Sequence, residues 1–150
     1  MTVIPTDVSV QARKARIALL FEEIITKGRL ELADEVFAAD FSWPQFGLHG
    51  PDGVRAWVRA FRTAFPDISD LVQEQTAEGD VVVTRVECIG TQLGPFRGLP
   101  PSRRRATFTA IGIDRFRDDK VVERSAHFDI VDLMRQLGHR TLTLPAEVRP

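Results

Sequence analysis

The chain is most constrained by residues 119–138, where an alternating pattern of side chains changes into a helical one. Over residues 120–128, the apolar side chains of Val122, Ala126 and Phe128 fall on one face of an extended chain, which predicts a strand. Apolar residues then recur at helical spacing over residues 130–137, and a glycine follows, which predicts a helix that ends there. Because side chains two residues apart on a strand point to one face, His127 and Asp129 are expected to lie together where the strand ends.

The preceding segment, residues 105–117, is expected to form an antiparallel hairpin with this strand. Only two residues, Asp118 and Asp119, separate the two segments, and such a short connection fixes the register of the pairing. The predicted opposite pairs are Arg117 with Lys120, Asp114 with Glu123, Gly112 with Ser125, and Ala110 with His127.

One face of the predicted hairpin has the features of a small-molecule site. Ala110 and Gly112 leave space beside Ser125 and His127, and Phe108 lies on the same face. A hollow that is lined by a few polar groups and covered by aromatic rings is the usual form of a ligand pocket. The sequence therefore predicts a pocket on this side of the sheet.

Composition limits the class of protein. A chain of 150 residues with 43% hydrophobic residues is the size of one domain with one core. The formal charge of -1 gives no general attraction to nucleic acid or to anionic membranes. The single cysteine, Cys88, excludes an internal disulfide, and no spacing typical of a zinc site occurs, so we expect no metal. No apolar run of about 18 residues and no signal segment is found, so a soluble, cytoplasmic protein is expected.

The order of the predicted elements indicates an α+β fold. Helical patterns come first and alternating patterns follow, which favours helices packed on an antiparallel sheet. Residues 1–10 are expected to be a flexible arm, residues 11–138 a single domain, and residues 139–150 a tail. The predicted helices cover residues 11–27, 30–37 and about 54–65, an extended piece covers 39–44, and strands cover 68–78, 80–94, 105–117 and 120–128.

A series of short motifs resembles a known family. In chain order they are Phe65-Pro66-Asp67, Ala77-Glu78-Gly79-Asp80, Gly90-Thr91, Gly94 to Pro101 with Phe96, Gly98 and Leu99, Asp118 with Lys120 to Glu123, Asp129, and Gln136-Leu137-Gly138. Over about residues 12–138, this series resembles the SnoaL-like polyketide cyclases. The motifs keep their order, which makes the resemblance more specific than any one of them.

The resemblance implies both a fold and an activity. The fold is the cone-shaped barrel of the nuclear transport factor 2 superfamily, with three N-terminal helices on a curved, mostly antiparallel sheet, a short C-terminal helix, and a pocket between helices and sheet. The activity is cofactor-free acid/base chemistry in secondary-metabolite biosynthesis, typically an intramolecular aldol ring closure of an aromatic polyketide. The acid/base would be Asp129, and the protein would be a homodimer that pairs through its exposed sheet face.

The chain also departs from the family pattern. Gln92 stands where relatives commonly have histidine, Ser125 where they have an aromatic residue, and Gly112 and Asp114 where they often have histidine or glutamine. The chain contains no tyrosine or asparagine to hold an oxyanion or a water. Two alternatives therefore remain: a hydroxylase or epoxide hydrolase acting on a related polycyclic substrate, and a ligand-binding module without catalysis.

Asp129 and His127 each have a structural interpretation besides the catalytic one. Asp129 precedes a helix, where its carboxylate would accept a hydrogen bond from the backbone N–H of Asp132 as an N-cap. As a catalyst, it would remove a proton from carbon and return one to oxygen, with its pKa raised by apolar surroundings. His127 would orient Asp129 or share its proton, since histidine titrates near neutrality. A lone histidine is otherwise usually structural or exposed.

Charged residues on the predicted strands offer further candidates. Asp114 is expected opposite Glu123, a like-charge pair that is destabilising by up to about 1 kcal/mol unless it is at the wet rim or one carboxyl is protonated. The cross-strand neighbour of Asp114 is six residues from Asp129, or about 20 Å along the strand, so Asp114 is a lesser candidate, at the rim or in contact with substrate. Arg85 with Asp114 and Asp129 would supply the two carboxylates and the arginine that an epoxide hydrolase needs. Arg85 is otherwise a cross-strand partner of Glu74 or Glu87.

Aromatic and apolar residues are candidates for the pocket walls, although helical spacing also suits a core role for some of them. Four arginines, Arg97 and Arg103–Arg105, flank a proline-rich loop and would either receive an acidic group of the substrate or be solvated. They are weak evidence for nucleic acid. The candidate substrate-binding residues are Trp43, Phe46, Trp57, Phe61, Arg85, Phe108, Ser125 and Met134.

Overall fold

A computed structural model describes residues 7–139, which form four α-helices and six strands. The first helix continues directly into a π-helical segment, Leu20–Ile25, and a 3-10 turn, Leu30–Leu32, precedes the second. A second 3-10 turn, Pro44–Phe46, joins the first two strands. The elements are α1 (Asp7–Leu19), α2 (Ala33–Val36), β1 (Phe37–Trp43), β2 (Leu48–His49), α3 (Gly50–Ala64), β3 (Ser69–Glu78), β4 (Val81–Thr91), β5 (Arg105–Arg117), β6 (Lys120–Phe128) and α4 (Ile130–Gln136).

The strands form one mixed sheet in the order β2-β1-β6-β5-β4-β3. All neighbouring strands are antiparallel except β1 and β6, which are parallel. The sheet is open, since β2 and β3 are its two edges. Three N-terminal helical segments and the short α4 complete the predicted α+β architecture, and the fold class is confirmed.

The core lies between the helices and one face of the sheet. The helix α3 begins with Pro51 in its first turn, where a proline costs no helical hydrogen bond, and it buries Val54 and Val58. The segment after α1 buries Phe21 and Ile24 in the same cluster. Because each helix has one apolar stripe, the helices cover one face of the sheet and leave the other face exposed.

A β-bulge in β6 makes the predicted register of the last hairpin wrong. The pairing begins as expected with Arg117 opposite Lys120, and Phe116 lies opposite Val121. Arg115 then pairs with Glu123, so Val122 is an extra residue. A shift of one residue reverses the face of every side chain that follows. The observed pairs are Asp114 with Arg124, Ile113 with Ser125, Gly112 with Ala126, Ile111 with His127, and Ala110 with Phe128.

Some predicted boundaries also differ from the observed ones. The helix α1 begins at Asp7 rather than at residue 11, α3 begins at Gly50, and Phe37 belongs to β1 rather than to the second helix. The rest of the expected arm, residues 1–6, and residues 140–150 of the expected tail lie outside the described residues. None of the described helices is long and apolar enough to cross a membrane.

Candidate active site

An outer cleft and a smaller inner cavity lie between α3 and the sheet. The outer cleft has a volume of about 380 Å³, which is in the range of small-molecule sites. The inner cavity has a volume of about 40 Å³, enough for a few water molecules. Phe46, Trp57, Phe61 and Phe128 line both spaces. A ligand that occupies the cleft would therefore reach the inner cavity through a ring of aromatic side chains.

Asp70 is an acidic residue in the wall of the inner cavity. It lies on β3 opposite Cys88 of β4, and only 4% of its surface is exposed. Within residues 7–139, its buried Oδ1 accepts no hydrogen bond. Burial raises the pKa of Asp70 from its ordinary 3.8 to about 6, although the Cys88 thiol and the Arg124 guanidinium oppose the shift. A carboxyl with this pKa can both accept and donate a proton near neutral pH.

Arg124 brings a positive charge to the same cavity. It is 4% exposed, and its Nη1 lies 2.6 Å from each carboxylate oxygen of Asp114, which is fully buried. Burial raises the pKa of Asp114, and the adjacent guanidinium opposes that shift. The contact of 2.6 Å between the two side chains forms an ion pair inside the core. The buried Nε of Arg124 has no hydrogen-bond partner among the described residues. This N–H remains a donor that an additional oxygen atom can satisfy.

Aromatic rings and a glycine fix the position of the Arg124 guanidinium. Its carbon Cζ lies 5.2 Å from the ring centroid of Phe21 and 5.3 Å from that of Trp43, within the range of cation–π contacts. A Cβ atom on Gly112 would lie 2.7 Å from Nη2. The absence of a side chain at Gly112 thus leaves room for the guanidinium.

Cys88 lies beside Asp70 and also lines the inner cavity. Burial raises the pKa of its thiol, and the Asp70 carboxylate adds to the shift. The thiol is therefore protonated at neutral pH, and a nucleophilic thiolate is not favoured. This leaves Asp70 as the cavity group that can exchange a proton near neutrality.

The predicted polar site residues of β6 and its C-terminal end are not brought into the cavity. His127 is exposed and Ser125 half-buried on the outer face, because the bulge turns them away from Ala110 and Gly112. Asp129 is exposed, and its Oδ1 accepts a hydrogen bond of 2.9 Å from the backbone N–H of Asp132, so it caps α4.

The other predicted residues divide between the cavity and other parts of the fold. Asp114 is in the core rather than at the rim, and it pairs with Arg124 rather than with Glu123. Arg85 is exposed on the outer face, where it contacts Glu74 at 3.4 Å, as in its structural interpretation. Met134 is buried in α4. The predicted aromatic residues that line the inner cavity are Trp43, Phe46, Trp57, Phe61 and Phe108.

Sequence reasoning missed Asp70 and Arg124, although both left a signal. Asp70 stands between Ile68 and Val72 in an alternating segment, so an acidic residue occupies a position that the pattern directs inward. For Arg124, the signal was the unfavourable predicted pair of Asp114 with Glu123. A shift of one residue replaces this like-charge pair by an ion pair.

The model of the SnoaL-like polyketide cyclase family matches residues 15–137, most of the chain. The chain belongs to the SnoaL-like polyketide cyclase family. None of the curated proteins compared with it matches significantly. Solved structures of other proteins have the same fold and align with most of this chain.

Three solved structures illustrate the likeness. TsrD from Streptomyces laurentii is 27% identical, with a TM-score of 0.77 over 88% of this chain and 96% of its own. IdmH from Streptomyces antibioticus, a proposed polyketide cyclase, is 30% identical, with a TM-score of 0.72 over 84% of this chain and 98% of its own. AclR from Streptomyces galilaeus, a proposed hydroxylase, is 25% identical, with a TM-score of 0.75 over 92% and 87%.

Proposed function

We propose that this SnoaL-like protein catalyses a cofactor-free intramolecular aldol cyclisation of an aromatic polyketide, with Asp70 as the acid/base. The observation that carries the proposal is the position of Asp70, a carboxyl with a pKa of about 6 in the wall of an otherwise largely apolar cavity. Membership of the family and the likeness to IdmH support cyclisation as the reaction class. The aromatic ring system of the substrate would pack against Trp57 and Phe61 in the outer cleft.

The proposed reaction uses one proton twice. The Asp70 carboxylate removes a proton from the carbon next to a carbonyl group, and the resulting enolate carbon bonds to a second carbonyl carbon of the same molecule. The second carbonyl oxygen becomes an alkoxide, which takes the proton back from Asp70. The unpaired Nε–H of Arg124 is a suitable donor to an oxygen on which negative charge develops. Product and substrate then have the same mass.

The test is to incubate the protein with an anthracyclinone-type polyketide, both as its ester and as the free acid, and to follow the products by mass spectrometry. We expect a product of unchanged mass from the wild type, and at least about a hundredfold lower rate from Asp70→Asn. Glu74→Gln removes a carboxylate from the outer face of the same strand and is the matched control. An Asp70→Asn variant with the wild-type rate would exclude Asp70 as the acid/base.

A second candidate function is hydrolysis of an epoxide on a similar substrate. It is favoured by the cavity wall itself, in which Arg124 lies near two carboxyls, Asp70 and Asp114, beside a space of about 40 Å³ that suits water. These residues replace the predicted combination of Arg85, Asp114 and Asp129. Reaction in ¹⁸O-labelled water distinguishes the two functions, since hydrolysis adds one labelled oxygen and the mass of one water.

We also infer that two copies of the chain pair through the outer face of the sheet. This face exposes Ile111 and Ile113, each 39% accessible. It carries charges of both signs, such as Arg115 and Glu123 on neighbouring strands, and a two-fold axis can place opposite charges together. Light scattering after size exclusion should give twice the chain mass for the wild type and a monomer for Ile111→Lys. A monomeric wild type would exclude the dimer.

A further inference from the structure

The loop that joins β4 to β5 places one arginine at the mouth of the outer cleft. Arg97 lines the cleft, and its Cζ lies 5.8 Å from the ring centroid of Phe96 and 5.6 Å from that of Phe128. The other lining residues are apolar: Phe46, Trp57, Ala60, Phe61, Pro95, Phe96 and Phe128. Within the described lining, Arg97 thus supplies the charge of an otherwise apolar site.

The backbone holds Arg97 in a conformation that arginine rarely adopts. Arg97 and Gly98 have φ of 49° and 77°, and backbone hydrogen bonds of 3.0 and 2.9 Å join Phe96 and Leu99 on either side of them. Two consecutive positive φ values characterise the type I′ turn, whose first position favours asparagine, aspartate or glycine. A left-handed arginine costs about 1 kcal/mol, so the turn itself does not favour this residue. The side chain of Arg97, which lines the cleft, is therefore what distinguishes it from the residues that the turn favours.

Gln92 anchors the loop that carries this turn. Its buried side chain donates from Nε2 to the carbonyl oxygens of Gly94, at 3.2 Å, and Pro100, at 3.1 Å. Its Oε1 accepts a hydrogen bond of 3.2 Å from the backbone N–H of Ser102. The backbone of Arg97 is therefore held at the cleft by a built loop before a ligand binds.

We propose that Arg97 binds a carboxylate on the aromatic substrate and selects for acidic substrates over their neutral esters. Among the ion pairs of residues 7–139, none includes Arg97, so its charge is available to a ligand. A planar guanidinium matches a carboxylate with two parallel hydrogen bonds, and the apolar walls strengthen that contact relative to open water. This inference rests on the proposed function, because it places the reacting end of the same substrate toward Asp70.

Binding can be measured without turnover. Anthraquinone-2-carboxylate and its neutral methyl ester are planar probes, and Trp43 and Trp57 at the aromatic walls report their binding by fluorescence quenching. We expect Arg97→Gln to weaken carboxylate binding by about tenfold and to leave ester binding unchanged. Arg97→Lys should retain part of the preference, since it keeps the charge but not the planar fork.

Arg103→Gln is the matched control. Arg103 belongs to the same loop, is exposed and has a positive φ of 61°, but it does not line the cleft. The control should bind both probes like the wild type. Equal loss of both probes in Arg97→Gln, the same loss in Arg103→Gln, or no saturable binding of the carboxylate up to about 1 mM would overturn the proposal.

The two proposals fail separately. Asp70→Asn should bind the carboxylate probe like the wild type, because Arg97 and not Asp70 would hold the charged group. If charge-selective binding is found and no variant or substrate shows turnover, the role of Arg97 stands and the proposed catalysis does not. If cyclisation is found and Arg97→Gln does not change the preference for acid over ester, the proposed catalysis stands and the role of Arg97 does not.

Discussion

Arg124 and Asp114 form an ion pair inside the core, in which Nη1 of the arginine lies 2.6 Å from both oxygens of the carboxylate. The two residues are directly opposite on neighbouring strands, and their side chains are 3% and 0% exposed. An ion pair in this setting gives little net stability, because the desolvation of two charges offsets their attraction. We therefore interpret the pair as a means of holding a guanidinium beside Asp70.

Breaking this pair should cost more stability than removing it. Arg124→Met leaves the Asp114 carboxylate buried without a partner, and we expect the free energy of unfolding to fall by about 3–5 kcal/mol. The double variant Asp114→Val with Arg124→Met removes both charges and should recover most of the loss, yet remain inactive. Urea unfolding followed by fluorescence measures both effects. Equal destabilisation in the single and double variants would contradict this account.

Asp70 should make stability depend on pH. The native carboxyl keeps its proton up to about pH 6, whereas the unfolded one loses it near 3.8, so the native state binds more protons between these values. Stability therefore falls as pH rises through this window, by about 3 kcal/mol for a shift of this size. Asp70→Asn lacks this loss. Relative to the wild type, the variant should gain about that much between pH 4 and pH 7, as measured by urea unfolding.

The same pKa should govern the reaction rate. Because the proposed step begins with the Asp70 carboxylate, kcat/KM should rise with pH and level off above an apparent pKa near 6. Glu74→Gln, which removes a carboxylate from the outer face of the same strand, is expected to keep a profile of the same shape. A wild-type profile that is flat between pH 5 and pH 8 would argue against Asp70 as the base.

Two substitutions of Asp129 distinguish a capping role from a catalytic one. Asparagine is as good an N-cap as aspartate, so Asp129→Asn should keep both stability and activity, while Asp129→Ala should lose about 1 kcal/mol of stability. Thermal unfolding and the cyclisation assay test the two expectations. Loss of activity in Asp129→Asn with unchanged stability would instead support the catalytic role that the family resemblance implies.

Gly112 should be sensitive to the smallest substitution. A Cβ atom there would lie 2.7 Å from Nη2 of Arg124, so the guanidinium would have to move. Such a movement disturbs its contacts with Asp114 and with two aromatic rings. We expect Gly112→Ala to lower kcat/KM by about tenfold with a stability loss of about 1–2 kcal/mol. Thr109→Ala, on the outward face of the same strand, is the control. Full activity of Gly112→Ala would show that the position of Arg124 is not critical.

Much of the fold was predictable because it depends on local patterns. The helical stripe with Val54 and Val58, the alternation along β4 to β6, and the turn at Asp118 and Asp119 each follow from residues near in sequence. The aromatic walls were predictable for a related reason, since large apolar side chains on inward faces collect around one core. The resemblance to a known family added the prediction that the helices pack on one curved, mostly antiparallel sheet.

The polar part of the candidate site was not predictable in the same way. One extra residue, Val122, decides which side chains of β6 face the cavity, and nothing local marks the position of a bulge. Because of this extra residue, Arg124, Ala126 and Phe128 face the cavity in place of Ser125 and His127. Asp70 acquires its raised pKa only from burial among residues of other strands and helices.

By itself, the sequence determined the helices, the strands, the family and the aromatic character of the pocket, because periodicity and motifs are properties of neighbouring residues. Only the tertiary structure decided which charged groups meet there. Asp70, Asp114 and Arg124 come from three different strands, and their meeting depends on register and burial. Register is set by long-range packing of whole faces, so a shift of one residue changes the chemistry of the site without changing the fold.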